Sequence, residues 1–487
     1  MIEHVCSLDL GTTHIKAALV DAEGTITAMH RLDAPPCITD TGGFEFDADE
    51  YVDRVRTCIA HVLERVPRGS VAAVTSSSQR ATVVPVGRDG LASAPALSWQ
   101  DGRGERAIAR VVEPIGARRY AEITGLPPSA LWTLAKVLWL REAAPRRAAA
   151  RFALLNDYVL ARLGSDGLVT DSSNASLTGM LDLSSLRWSA EVLGLAGVEA
   201  EQLPEVRPPA SRAGVVSREA SEATGLPAGT PLVLGGGDQQ CAALGAGACD
   251  PGDAALCVGT AAVASCPTDA PTFDDRGRWF CTAHVVPGRW VLEGIHNAFG
   301  SSIGWVCDLL GLAGPAELES LAARDDGPSG DVVFLPFLAG IGSPDFDASA
   351  AGALTGLRLP VTRARVARAV LEGVGLEVRR ILDSMAERVS TRRLRIVGGA
   401  SGTLASQVLA DMTGRSLGVS PVAEASLLGA AVLAWTEAGR FESVRAGAAR
   451  WTGRETTWLE PRDAAAGEKL ERYRRMVGSL RNTEVAT

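Results

Sequence analysis

Residues 4–21 read HVCSLDLGTTHIKAALVD. Two short alternating runs, residues 4–10 and 15–20, flank Gly11-Thr12-Thr13, and the stretch predicts a tight β-hairpin. Asp21-Ala22-Glu23-Gly24 turns again into a third strand over residues 25–29. A helix is expected over residues 48–66, because Tyr51, Val52, Val55, Ile59, Val62 and Leu63 share one helical face. Val71-Ala72-Ala73-Val74 then reads as a buried strand. Strands followed by helix and strand indicate α/β organisation.

The second half repeats this grammar. Residues 254–258 and 261–266 flank Gly259-Thr260, and a strand at 290–293 precedes a glycine-punctuated helix at 300–310. Thr362 is placed to cap a helix with Val366, Val370, Val374 and Ile381 on one side. A short apolar strand at 394–397 is followed by Gly398-Gly399-Ala400-Ser401-Gly402 and a helix from 404 to 412. Two α/β domains are therefore expected, breaking near residue 240, with the Pro- and Gly-rich residues 227–237 as linker. Beyond residue 445 little periodicity is visible until a charged helix near 464–480.

Bulk properties narrow the function. A chain of 487 residues exceeds one ordinary core, and 46% hydrophobic with 22% charged residues is globular composition. A net charge of -9 argues against nucleic acid or an anionic membrane as partner. No apolar run approaches the roughly 20 residues a bilayer requires. Glu3 and Asp9 stand where a secretory signal needs a basic region, so a cytoplasmic location is expected. The nine cysteines are odd in number and lack a C-x-x-C pair, which suits buried thiols in a reducing compartment. Arginine dominates the basic residues, leaving Lys16, Lys136 and Lys469 as the lysines.

The chemistry gathers at small-residue turns. No G-x-x-x-x-G-K-[ST] is present, and no G-x-G-x-x-G follows a strand. Asp9-Leu10-Gly11-Thr12-Thr13 offers backbone N–H groups and hydroxyls to phosphate, a carboxylate for hydrated Mg²⁺, and Lys16 just beyond. Alone, an Asp-Gly hairpin without ligand is the commoner reading. Gly235-Gly236-Gly237-Asp238-Gln239-Gln240 puts a carboxylate at a strand end where backbone can approach a ligand. Alone it is evenly balanced against a glycine hinge. The turn running from Gly398 to Thr403 could seat adenosine or phosphate, and by itself is an ordinary strand-to-helix turn.

The order of these turns is more specific than any one of them. SLDLGTTHIKAALVD, SSSQRATVV, LSWQDGR, TGLPPSALWTLAKVLWL, GGGDQQCAALGAG, VGTAAV, LEGIHNAFGSSIGW, VGGASGTLASQVLADMTGR and LLGAAVLA, in succession, closely resemble the FGGY carbohydrate kinase family. The resemblance runs from Ser7 to about Trp435. It implies an α/β fold of two actin/hexokinase-like (ribonuclease H-like) domains with a cleft between them. Residues 1–240 would carry sugar binding and the phosphate turn, and 241–487 the nucleotide site. ATP and Mg²⁺ are the implied cofactors and a small sugar the partner; a homodimer is left open.

Carried over residue by residue, the resemblance gives Asp238 as general base and Asp9 as the group orienting Mg²⁺ through water. Gly11, Thr12, Thr13 and Lys16 would hold phosphates, with Gly259 and Thr260 closing from the second domain. Gly300, Gly304, Gly399, Ala400 and Thr403 would line the adenine and ribose site. Gln79, Arg80, Asp101 and Gln239 would read the substrate. Departures bear on that last role. Ala81 replaces the acidic residue, and Leu131 the aromatic one, of the glycerol kinase branch. The pentulose kinases usually carry Met-His where this chain has Arg80-Ala81. Thr403 stands where the adenosine turn usually has Asn, and Gly340-Ile341-Gly342 where Gly-Glu-Arg often stands. The expected activity is ATP-dependent phosphorylation of a small sugar, foremost a pentulose such as xylulose. Alternatives are another polyol or ketose (glycerol, ribulose, erythritol or an autoinducer-type compound) or a non-catalytic sugar or nucleotide sensor. Asp238 behind three glycines favours catalysis.

Overall fold

The computed structural model describes residues 3–484 except 36–42, 68, 144–149, 325–328, 399–402, 420–423 and 453–455. Two mixed sheets organise it. The first has six strands in the order Arg212–Val215, Pro231–Gly237, Val71–Ser78, His4–Leu10, His14–Asp21, Ile26–Asp33. The expected hairpin is present, with Leu10 opposite Ile15 and Asp9 opposite Lys16. Val71–Ser78 lies parallel to His4–Leu10, and Pro231–Gly237 parallel to Val71–Ser78. Three parallel strands thus end at one edge, bringing Asp9, Gln79 and Asp238 to the carboxyl side of the sheet, where α/β proteins bind ligands.

The second sheet has seven strands, ordered Phe280–Ala283, Trp290–His296, Ala262–Thr268, Asp253–Val258, Arg393–Gly398, Ser416–Val419, Thr457–Leu459. Its hairpin around Gly259-Thr260 is the counterpart of the first, again flanked by a parallel strand.

Side-chain alternation explains the layers. Along the first strand Cys6, Leu8 and Leu10 point to one face and pack with Tyr51, Val52, Val55 and Ile59 of the helix Ala48–Leu63. Val5 points to the other face, with Ala18, Val20, Ala73 and Val233, and meets Leu427, Leu428, Ala431 and Trp435 of the helix Ala425–Glu437. Each buried Leu or Val there contributes about 1.5–3 kcal/mol. Asp238–Ala246 runs beside that helix between the two sheets, its Ala242, Ala243 and Ala246 against Ala255 and Val397. The approach is close. A Cβ on Gly429 would sit 1.8 Å from the Cys241 carbonyl oxygen, and one on Gly245 2.0 Å from that of Ala425.

Two sequence expectations are corrected. Residues 227–237 are not a linker: Pro231–Gly237 is an interior strand, its glycines buried, because a Cβ on Gly235 would fall 1.8 Å from the Ser76 carbonyl oxygen. The tail after 445 holds an extra helix, Val444–Thr452, whose buried face is only Val444, Gly447 and Ala448, too small for a periodicity signal. Thr362 does cap Arg363–Met385, its hydroxyl accepting from the Arg365 N–H at 3.2 Å. Eight cysteines among the described residues are free thiols, seven of them buried; Cys37 lies outside those residues. Among the described residues no helix is long and apolar enough to cross a membrane.

Candidate active site

Asp238 opens its helix, with Gly237 as N-cap, so the strand end delivers it to the sheet edge. Its Oδ1 accepts from the Gln239 N–H at 2.9 Å, and its side chain keeps 37% of its surface open. The enclosing walls raise its pKa above the ordinary carboxylate value, and Arg80 opposes that rise. The strand is locked from behind by Ser173, whose Oγ accepts the Gly237 N–H at 2.9 Å while its own O–H donates to Asp171. A Cβ on Gly237 would meet Arg80 Cδ at 2.4 Å. Glycine is required here by the closeness of Arg80, which is the physical content of the Gly-Gly-Gly-Asp signal.

Arg80 is 8% exposed and follows the strand Val71–Ser78. Its Nε lies 3.8 Å from Asp238 Oδ1, but its terminal nitrogens both go to Glu293. Gln79 is likewise engaged. Its Oε1 accepts from Thr12 Oγ1 and Thr82 Oγ1, each at 3.1 Å, and its Nε2 donates to the Gly11 carbonyl at 3.1 Å. Asp101 is fully buried and bonded by Arg103, with the Phe44 N–H at 3.0 Å on Oδ2. The structure therefore gathers Arg80 and Gln239 around Asp238, ties Gln79 to Gly11 and Thr12 of the first turn, and buries Asp101 in an ion pair. Gln239 Oε1 is buried without a hydrogen-bond partner.

The first turn faces this carboxylate. Asp9, with 15% of its side chain exposed, is pushed up to about 6 by burial; Lys16 at 3.7 Å opposes, and Asp238 adds to the rise. Lys16 also bonds Glu424 at 2.6 Å, and Thr12 Oγ1 accepts the Trp99 indole N–H at 2.9 Å. From the second half, the Gly259 and Thr260 carbonyls accept the N–H groups of Gly300 and Ser301 at 3.1 and 3.2 Å, seating that turn on the helix Phe299–Leu309. Thr13, Gly259, Thr260 and Thr403 are exposed, and a Cβ on Gly304 would meet nothing within 4 Å. Gly399 and Ala400 lie outside the described residues.

The donor set suits Mg²⁺. Among the described residues there is no cluster of three or more ligating side chains, yet the charge of Asp238 adds to the rise at Asp9, with Lys16 at 3.7 Å from Asp9 and Arg80 at 3.8 Å from Asp238 as the compensating cations. A cation that takes one or two carboxylates plus phosphate and water meets that need. Sequence reasoning missed Glu293, Glu424 and Trp99. Glu293 had a signal, a lone carboxylate inside the apolar run Trp290–His296; Glu424 had none, since its partner is 408 residues away.

The N-terminal-domain pattern of the FGGY family of carbohydrate kinases matches residues 4–245, and the C-terminal-domain pattern of the same family matches residues 254–438. A glycerol kinase of Leifsonia xyli subsp. xyli is 30% identical over 491 residues, covering 96% of each chain. In fold, the chain superposes on a gluconate kinase from Lactobacillus acidophilus with TM-score 0.92 at 24% identity, over 100% of this chain and 99% of the other. It superposes on a ligand-bound xylulose kinase from the same organism with TM-score 0.91 at 24% identity, over 99% of this chain and 99% of that one.

Proposed function

This chain belongs to the FGGY family of carbohydrate kinases, ATP-using phosphotransferases with an alcohol as acceptor, and from that premise we propose that it phosphorylates a hydroxyl of a small sugar, foremost a pentulose such as xylulose, with Asp238 as the base. The observation carrying this reading is the placement of Asp238. It stands partly open at the sheet edge, beside Arg80 and across from the Asp9–Thr13 turn, with its pKa raised so that it can accept a proton.

Phosphoryl transfer asks the protein mainly for positioning and charge neutralisation. Asp238 takes the hydroxyl proton as that oxygen bonds to the γ-phosphorus, while the bond from that phosphorus to the β,γ-bridging oxygen breaks and ADP leaves. Thr12, Thr13 and Lys16 hold phosphate oxygens from the first half, and Gly259 and Thr260 from the second. Asp9 would hold Mg²⁺, which would supply charge neutralisation at the transferred phosphoryl group. Gln239 and Arg80 border the acceptor beside Asp238, while Gln79 and Asp101 act through the loops they hold. Gly300, Gly304, Gly399, Ala400 and Thr403 border the nucleoside. Ala81 and Leu131 offer no polar contact, which counts against glycerol, since each lost hydroxyl partner costs about 1–3 kcal/mol.

The test is coupled ADP release over pentuloses, hexuloses, polyols and hydroxylated furanones, with Asp238→Asn alongside. Turnover of at least one acceptor is expected, with kcat in the variant lower by about 10²–10⁴. Undiminished turnover by Asp238→Asn removes the base assignment. Silence on every acceptor, with ATP still bound, moves the chain to a sensor.

A further inference from the structure

Glu293 has no exposed surface, and the donors bonded to it, Arg80, Gln240 and Thr282, are themselves buried. Arg80 Nη1 donates to Oε1 at 2.9 Å and Arg80 Nη2 to Oε2 at 2.5 Å, a bidentate pair. Oε1 also accepts from Gln240 Nε2 at 2.9 Å and Thr282 Oγ1 at 2.5 Å. Gln240 follows Asp238 by two residues on the same helix, so one carboxylate grips both neighbours of the base. The Arg80 Nε–H makes no hydrogen bond although buried, and it lies beside Asp238.

Among the described residues, Lys16 and Arg103 are engaged as well. Lys16 is shared by Asp9 and Glu424, and Arg103 by Asp101 and Glu45. A carboxylate-bearing acceptor is best read by an arginine fork with both terminal nitrogens free. Here the fork nearest the base is filled.

We infer that Glu293 is a positioning residue that sets acceptor class: by filling the fork of Arg80 it denies that fork to the carboxylate of a sugar acid and leaves the site to an uncharged sugar or polyol. The inference rests on the proposed reading that Arg80 borders the acceptor. It separates this chain from the activity named for its gluconate kinase structural neighbour, where the backbone likeness is otherwise high. The selectivity comes from a charge pair that a sugar acid would have to break, a penalty against the wrong ligand rather than an added contact with the right one.

The experiment compares kcat/KM for neutral acceptors (D-xylulose, D-ribulose, glycerol and D-glucitol) with that for D-gluconate, in wild type, Glu293→Gln and Glu293→Ala. Wild type is expected to favour its best neutral acceptor over gluconate by about 100-fold or more. Both variants are expected to move that ratio toward gluconate by about tenfold, chiefly through KM, because each takes the carboxylate off the Arg80 fork. Glu293→Ala serves if Glu293→Gln does not fold, which melting and ATP-analogue binding report. A wild type that turns over gluconate as well as any neutral acceptor overturns the inference. So does a ratio unmoved in folded variants, or turnover of none of the panel. Asp238→Asn keeping full activity would strike the base assignment alone and leave this ratio test standing.

Discussion

Lys16 and Glu424, 408 residues apart in the chain, meet at 2.6 Å across the two halves of the protein. Lys16 stands on the second strand, and Glu424 is the N-cap of the helix packed on that sheet. The lysine just past the Gly11-Thr12-Thr13 turn is therefore shared between Glu424 and Asp9.

If Lys16 holds phosphate, as proposed, the entering phosphate competes with Glu424 for that ammonium. Glu424→Gln is expected to lower KM for ATP by about threefold with kcat retained, since it removes a competing and repelling carboxylate. Lys16→Met is expected to raise the same KM by about tenfold or more. Steady-state kinetics with ATP varied reads both. An unchanged KM in the pair would detach Lys16 from phosphate binding.

Asp101 offers a test of structure against substrate contact. With its carboxylate buried and bonded by Arg103 and the Phe44 N–H, Asp101→Asn should cost about 3 kcal/mol of stability, by leaving Arg103 under-neutralised. Acceptor KM should move less than about twofold. A large rise in acceptor KM at unchanged melting temperature would return Asp101 to the substrate-reading set.

Two glycines should respond oppositely to a methyl group. Gly235→Ala places Cβ 1.8 Å from a backbone oxygen of the adjacent strand, and overpacking of that kind costs roughly 1–3 kcal/mol or more. Gly304→Ala meets open space inside a helix, so stability should hold or rise by about 0.5–1 kcal/mol while KM for ATP increases. Denaturant unfolding and ATP kinetics separate the outcomes. A Gly304→Ala enzyme with unchanged KM would remove Gly304 from the nucleoside wall.

Acid should destabilise the protein through His284. Burial lowers its pKa to about 4; its Nε2–H donates to the Ala248 carbonyl at 3.1 Å and its Nδ1 accepts the Val285 N–H at 2.8 Å, which fixes the neutral tautomer. The folded pKa lies below the unfolded value near 6.5, so as pH falls the unfolded chain takes the proton first. The stability present above about pH 6.5 is then lost progressively toward pH 4, roughly 2 kcal/mol of it by pH 5. Melting curves in His284→Asn should show a smaller difference between pH 7 and pH 5 than wild type; an equal difference would discharge His284.

How far the sequence spoke can be judged at individual residues. It determined the two hairpins, their Gly-Thr turns and the capped helix at Thr362, because alternation, glycine and capping act within a few residues of each other. It also set Asp238 behind its glycines, since the backbone there must pass close to Arg80. What it could not decide was who meets whom. Glu293 on Arg80, Glu424 on Lys16 and Trp99 on Thr12 join segments far apart in the chain, and no local rule relates them. The strand at Pro231–Gly237 was misread as a linker for the same reason: glycines that look like a hinge along the chain are, in the sheet, the residues whose missing side chains let the neighbouring strand approach. Tertiary structure decided those contacts, because burial makes a charge depend on whichever partner the fold brings to it.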